Sequence, residues 1–569
     1  MMGPFLAAAE PLITLSGLDW VILFVYIAFV IGLGFYLKKY ARTDDDFFLA
    51  GRKNSAWVAG VAFMSANMGA MEVIGYTGSA VKYGIHCAHF YLVGAVPAML
   101  FLGLFMMPFY YSGRIKSIPG YLKERFDEKT RVLNAVIFSV MMILVSGISL
   151  HLLAMIMDVF LGWSWEMSVW VAAGLVALYV SLAGLMSAIF TEVIQFFLIW
   201  AGILILPVLG FVDVGSPAEV WHRLQAVGRG YASLWASTAD PALNPLHMTW
   251  MGIVFGLGLG VAFGYWTTDF LIIQRAFSAK DLRSARLTPI IGSYFKMLLG
   301  LVVVSTGLVA LVLWKDKASG FELLTKPSGQ PDYDSALPLM MVRYFPRGLI
   351  GLGVTAVVAM LMAGQAGNMS AFSAVWTYDI YQSVLHKNAT KNQLVRMGRI
   401  STVAGLALAV AGAYVARSMP TVIDYLQAIA SVILAPGVAV ILLGMVWKRM
   451  TPHGAFWGIL VGFSAAFVMF LLEKQGWFGF HMGSFCPIGG AAGDMAANFW
   501  RAIWSWLIAA GLSVGISFFT KPRDDEELRG LVWSLTRIQK DERTAWFRSP
   551  VFWAAVSAAI FVFFNVYFW

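Results

Sequence analysis

Apolar runs long enough to cross a bilayer recur about fourteen times along this chain, near residues 28, 68, 97, 146, 176, 201, 262, 301, 364, 408, 434, 462, 510 and 559. Each crossing of hydrocarbon takes roughly 20 such residues as a helix, because the backbone must satisfy its own hydrogen bonds there. No polar stretch between the runs is large enough for a soluble domain. With 59% hydrophobic and 12% charged residues, the chain reads as an all-α membrane protein with about 14 transmembrane helices, one polytopic domain over residues 1–569.

The basic residues orient it. About 28 of the 40 Lys and Arg fall in the first, third, seventh, ninth, eleventh and thirteenth connections. Examples are Lys38, Lys39, Arg52 and Lys53 in the first, and Arg114, Lys116, Lys123 and Arg125 in the third. The positive-inside rule makes those connections cytoplasmic and places both termini outside, in a multi-pass protein of a plasma membrane, expected to be a bacterial inner membrane. The net charge of +9 is then explained by loops facing anionic lipid, and no nucleic-acid partner is needed. No basic n-region precedes the first apolar run, so that run is expected to be retained rather than cleaved. Cys87 in a span and Cys486 in an outer loop are separated by this topology, which argues against a disulfide.

Two outer loops, near 214–247 and 315–346, are long and rich in Gly, Pro and Asp, and are expected to carry short interfacial helices or a lid. The cytoplasmic stretch 521–548 spaces Leu528, Leu531, Val532, Leu535 and Ile538 as an amphipathic helix lying on the membrane surface would.

Two spans are interrupted. The second reads Ser65-Ala66-Asn67-Met68-Gly69-Ala70-Met71-Glu72 at its middle, a small-residue run beside a carboxylate. An ionised group at that depth costs about 2.5–3.5 kcal/mol and normally faces a partner or a wet cavity. The seventh holds Gly256, Gly258 and Gly260, then Gly264-Tyr265-Trp266-Thr267-Thr268-Asp269. Five spans starting at the second and five starting at the seventh run oppositely through the membrane, because five is odd. That is an inverted repeat, with a solute site expected at the repeat interface. Small residues can also break a span simply to pack; two breaks at matching positions favour the site.

Several ordered motifs resemble the sodium/solute symporter family, and its sodium/glucose cotransporter branch in particular. They are Phe48-Leu49-Ala50-Gly51-Arg52, Ser65-Ala66-Asn67-Met68-Gly69, Ser117-Ile118-Pro119-Gly120-Tyr121-Leu122-Lys123-Glu124-Arg125-Phe126, Gly184-Leu185-Met186-Ser187-Ala188, Gln274-Arg275 and Thr377-Tyr378-Asp379-Ile380-Tyr381. The resemblance runs from about residue 19 to the Trp533-Ser534 region. It implies a LeuT-type 5+5 inverted-repeat core over 56–447, broken in spans 2 and 7. A first span and loop (1–55) would precede this core and three C-terminal spans (448–569) follow it. It also implies alternating access and import of a small polar solute, a sugar or polyol, coupled to sodium, with no other cofactor.

Site residues carried over singly give a mixed pattern. The family's sodium site resembles backbone carbonyls of Ser65 and Met68, but its paired serines on the ninth span align with Ala363 and Gly364. Gln365, Asn368 or Ser370 would have to supply the missing oxygens, and Glu192 stands at the family's acidic position on the ion exit route. For the solute, Glu72 occupies a polar contact position and Tyr91 aligns with a family glutamate. Ala262 replaces an asparagine. Tyr265 matches an aromatic inner gate, while Lys296 and Gln427 are retained.

Charge economy adds an expectation of its own. Glu72 and Lys296 would lessen each other's cost by pairing across the cavity. A desolvated Glu72 would suit a proton carrier, and Asp269 is a second coupling candidate unless it only caps the broken helix, so a proton stands beside sodium as the possible coupling ion. His151 is expected to make an interhelical hydrogen bond. Neither a phosphate-binding Gly-rich loop nor a His-Glu-x-x-His pattern occurs, and no enzyme is expected. An uncoupled facilitator and a solute sensor are the other readings.

Overall fold

The computed structural model describes residues 16–37, 54–113, 118–240, 243–326, 328–346, 348–419, 421–474, 494–539 and 545–569. Helix dominates throughout. Ten helices among the described residues are long and apolar enough to cross a membrane, and Gly17–Tyr26, Ala56–Ser65 and Gly252–Thr268 are shorter apolar segments. The motif at 48–52, Cys486, and the side chains of Glu192 and Ala363 lie outside the described residues.

After α1 (Gly17–Leu37), the second span is two helices, α2 (Ala56–Asn67) and α3 (Ala70–Tyr83). The third descends through α4 (Val96–Phe101), a π-helical turn and α5 (Met107–Ser112). A short helix, α6 (Ile118–Arg125), lies before α7 (Glu128–Leu161), which the Asp127 carboxylate caps and Gly162 ends at φ 65°. Gly is favoured there because a Cβ penalises the left-handed region. Residues expected in the fifth and sixth spans fall in α8 (Trp165–Ile203) and α9 (Ile205–Val214). The first of the two long loops carries α10 (Pro217–Val227), capped by Ser216 with Pro217 in its first turn.

The seventh span starts as π-helix over Gly252–Ala262, continues as α11 (Phe263–Thr268), breaks at Asp269 and resumes as α12 (Phe270–Phe277). Next come α13 (Leu282–Lys315), α14 (Ala336–Tyr344) in the second long loop, α15 (Leu349–Ala374) with its π-helical continuation to Leu385, α16 (Lys391–Arg417) and α17 (Val422–Val446). Among the described residues three further α-helices follow, α18 (Pro452–Lys474), α19 (Asp494–Phe519) and α20 (Pro550–Tyr567).

Small residues set the closest crossings. A Cβ on Gly147 of α7 would come within 2.5 Å of the Gly412 carbonyl carbon on α16, the close backbone approach that drives helix association where lipid removes the hydrophobic incentive. His151 accepts a hydrogen bond from the Trp165 indole at 3.0 Å across α7 and α8, as expected.

The connector 521–548 departs from expectation. Its described part is turns and short 3₁₀ segments at Trp533–Leu535 and Trp546–Arg548, not an amphipathic α-helix. Leu528 and Val532 are buried in the protein, Trp533 stacks on Phe109 at 5.9 Å, and the Leu531 carbonyl accepts from the Tyr121 hydroxyl. Gly530 sits at φ 83°. The apolar residues anchor an irregular strap across one end of the bundle, and tertiary contact overrides their helical spacing.

Candidate functional site

Both breaks leave polar backbone at membrane depth. Met68 (φ −77°, ψ 54°) and Gly69 (ψ 163°) interrupt the second span, and Asp269 (φ −71°, ψ 119°) the seventh. The last carbonyls of a helix have no partner in the next turn, so α2 and α11 each end with acceptors near the middle of the bundle. Asp269 also opens α12, its carbonyl accepting from the backbone of Ile272 and Ile273.

Between the breaks lies a cavity of about 130 Å³, lined by Asn67, Glu72, Tyr265, Asp269, Lys296 and Gln427 among others. Lys296 is the hub. From α13 its ammonium donates to the Glu72 carboxylate on α3, and to Asn67 Oδ1 at 2.8 Å. The Asn67 amide in turn donates to the Tyr265 hydroxyl at 2.5 Å. Both charged side chains are 6% exposed, so each supplies the counter-charge that makes the other's burial tolerable. The Lys296 ammonium also lies 5.1 Å from the centre of the Trp266 ring and 5.2 Å from that of Tyr91. The Trp266 indole is fixed by a hydrogen bond to the Gly94 carbonyl at 3.0 Å.

Two acceptors on this wall lack a well-formed hydrogen bond within the protein: Glu72 Oε2, with the Tyr91 hydroxyl beside it, and Gln427 Oε1, with Tyr76 beside it. Buried oxygens of this kind are normally satisfied, and both border the cavity. Tyr91, grouped by sequence with the solute contacts, stands one layer back. Its hydroxyl lies against Glu72 without a well-formed hydrogen bond, and the residue walls a different cavity from the one Glu72 lines. Asn67 is the residue that sequence reasoning quoted in a motif and did not assign. Its signal was position, an amide inside the break with a tyrosine and a lysine opposite.

For the ion, Ser65 and Met68 flank the first break and are buried. Across from them Gly364, Gly367 and Asn368 of α15 border the cavity. Gln365 is 1% exposed, and neither its amide oxygen nor its nitrogen has a hydrogen-bond partner.

The second long loop packs over one end of the bundle, against α3 and the start of α17. The Asp334 carboxylate accepts from the Val422 N–H at 3.0 Å, at the start of α17, with Lys326 4.0 Å away. Lys326 also donates to the Met419 carbonyl at 2.7 Å and lies 3.6 Å from Asp332. Below them Asp424 receives Lys82 and the Tyr83 hydroxyl, each at 2.6 Å, tying α3 to α17. A Cβ on Gly78 would meet the Tyr333 carbonyl at 2.6 Å, so the loop rests directly on α3. Burial, which outweighs the opposing pull of Lys326, pushes the Asp334 carboxyl up to about 8.

The sequence model of the sodium:solute symporter family matches residues 47–462, well over half of the chain. The chain belongs to that family. It is a family of transporters rather than enzymes. Among its relatives, sodium/glucose cotransporter 1 of Sus scrofa is 26% identical over 92% of this chain and 81% of its own length. Sodium/glucose cotransporter 4 of Homo sapiens is 27% identical over 92% and 79%. Sodium/myo-inositol cotransporter 2 of Oryctolagus cuniculus is 26% identical over 80% and 70%. Of solved structures, the outward-open, substrate-bound state of a Na⁺-coupled sialic acid symporter superposes with a TM-score of 0.71 at 19% identity, covering 90% of this chain and 99% of that one. That likeness carries the fold: an inverted-repeat transporter core with broken second and seventh spans.

Proposed function

We propose that this family member imports a small, neutral, polyhydroxylated solute, a sugar or polyol, by alternating access driven by sodium. The observation that carries the reading is the Glu72–Lys296–Asn67–Tyr265 network on the cavity wall. Glu72 and Lys296 cancel each other's charge, so the cavity favours an uncharged guest over an anion or cation. Glu72 Oε2 and Gln427 Oε1 are acceptors without a well-formed hydrogen bond, and a solute rich in hydroxyls supplies donors at short spacing. Tyr265 forms an aromatic floor whose hydroxyl is tied to Asn67. The named relatives that carry glucose or myo-inositol support the same solute class.

Sodium is a hard cation that takes several oxygen ligands. The α2 carbonyls at Ser65 and Met68 are the ligands proposed on one side. On the other, the unpartnered amide oxygen of Gln365 takes the part that Ala363 and Gly364 cannot. Binding there would couple the two halves of the second span to α15.

A second reading keeps the same scaffold and moves coupling to a proton on Glu72 or Asp269, both on the cavity wall; the missing hydroxyls at 363 and 364 favour it. Purified protein in liposomes distinguishes them. Uphill accumulation of a labelled sugar or polyol under an imposed sodium gradient supports the first, and accumulation only under a proton gradient supports the second. Equilibration without accumulation would indicate a facilitator, and binding without flux a sensor.

A further inference from the structure

A larger cavity, about 880 Å³, opens sideways from the bundle between α9, α13 and the end of α20. Nothing in the transport reading uses it. On α13 its wall is the stripe Met297, Leu301, Val304 and Leu308, spaced 4, 3 and 4 residues as one helix face requires. On the facing side Val208 and Phe211 line it. No charged residue lines it among the described residues.

The cavity has a pinned outer end rather than a loose one. Helix α10 contributes Val220 and Trp221 to its wall. The end of α20 is latched to the outer loop: the Phe568 carbonyl accepts from Leu234 N–H at 2.9 Å, the Trp569 carbonyl from the Ser233 hydroxyl at 2.7 Å, and Asn565 from the Trp235 indole at 2.9 Å. The mouth merges with exposed apolar surface at Leu204, Val208, Leu298, Leu301, Phe563 and Val566, each between 46% and 65% exposed. In a membrane that surface faces lipid tails.

Packed interiors do not hold apolar voids of this size, and the medium at this depth offers only hydrocarbon to fill one. We propose that the lateral cavity binds an acyl chain of a bilayer lipid. The inner end of the cavity is Tyr91. Its ring packs on the α13 backbone, where a Cβ on Gly300 would come 2.6 Å from it, and its face lies 5.2 Å from the Lys296 ammonium. One side chain therefore separates the lipid tail from the Glu72–Lys296 pair, and the bound chain braces Tyr91 against Lys296.

The test uses the full chain in liposomes containing a phosphatidylcholine with a photoactivatable diazirine on one acyl chain. Labelling should concentrate in the peptides spanning 204–211 and 297–308. Leu301→Trp, which fills the cavity, should lower it severalfold, and Val446→Trp, on lipid-facing surface elsewhere, should leave it unchanged. Val208→Trp, on the opposite wall, repeats the test if Leu301→Trp does not purify as a monodisperse protein. Labelling spread evenly along the apolar belt, or unaffected by both Trp variants, overturns the site. The bracing step rests on the proposed solute reading and has its own readout. Stripping lipid should weaken solute binding severalfold, and adding phosphatidylcholine should restore it in the native protein but not in Leu301→Trp. Equal rescue of both refutes bracing while leaving the labelling result intact.

Discussion

Replacing Glu72 with Gln removes one half of a buried ion pair and leaves its shape. The Lys296 ammonium would keep Asn67 Oδ1 at 2.8 Å and the faces of Tyr91 and Trp266 but lose its counter-charge, with 6% of its side chain exposed. Removing one partner of such a pair costs about 3–5 kcal/mol, whereas replacing both charges by uncharged groups of similar volume is close to neutral. The expected cost lies near 3 kcal/mol because three favourable contacts remain, still a large share of a typical stability of about 5–15 kcal/mol. The assay is a double-mutant cycle of Glu72→Gln and Lys296→Met, read as unfolding free energy in detergent and as solute uptake in liposomes. The double variant should cost far less than the sum of the two single variants, a coupling of at least about 2–3 kcal/mol, the upper range for residues in contact. Uptake should fail in all three variants, because the solute contacts are gone even where the fold is restored. Additive single costs would refute the paired geometry. Wild-type accumulation by Glu72→Gln would refute its place in the site.

Three further outcomes follow from the same geometry. Tyr265→Ala removes the aromatic floor and the acceptor of the Asn67 hydrogen bond; solute affinity should fall by at least tenfold, about 1.4 kcal/mol, and Tyr265→Phe by less, with equilibrium binding as the check and unchanged affinity counting against the gate. The Asp334 carboxyl, pushed by burial from the usual carboxylate range up to about 8, holds a proton in the closed lid that it gives up when exposed. Lid closure is therefore fully favoured below about pH 4 and weakens as pH rises toward about 8, with Lys326, Asp332, Asp424, Lys82 and Tyr333 as the ionisable groups around it. A cysteine at Met71 should react faster from outside at pH 8 than at pH 6, relative to an exposed control cysteine, and Asp334→Asn should flatten that difference; a slope that survives Asp334→Asn would remove the residue from this role. Gly78→Val places a side chain against the Tyr333 backbone, so the lid should fail to seat and the same Met71 cysteine should label at the open-state rate at every pH; protection equal to that of the native sequence would contradict the contact.

The spans were legible because length and hydropathy are local properties, and the two breaks because small-residue runs beside a carboxylate recur at matching positions of two spans. The Glu72–Lys296 pair followed from charge economy, since two opposite charges in one bundle meet or unfold it. Asn67 was missed because an amide in a break reads as backbone support, and its role appears only when Lys296 and Tyr265 arrive from helices about 200 residues away in sequence. Tyr91 was placed a layer too far forward, since alignment gives the helix face but not the depth of a neighbouring lysine. The strap at 521–548 misled because its apolar spacing is helical while its contacts at Phe109 and Tyr121 are tertiary. A lid is one of two expectations for the loop near 315–346, but which residues close it, Lys326, Asp332 and Asp334, shows only in their packing against the start of α17.

The most direct test of the central claim is accumulation of a labelled polyol or sugar by liposomes holding the pure protein, with an inward sodium gradient and no proton gradient. Concentration of solute above its outside level, lost when the sodium gradient is collapsed and reduced by Gln365→Leu, is the predicted result. Accumulation that ignores sodium and follows an imposed proton gradient would contradict it and move coupling to Glu72 or Asp269.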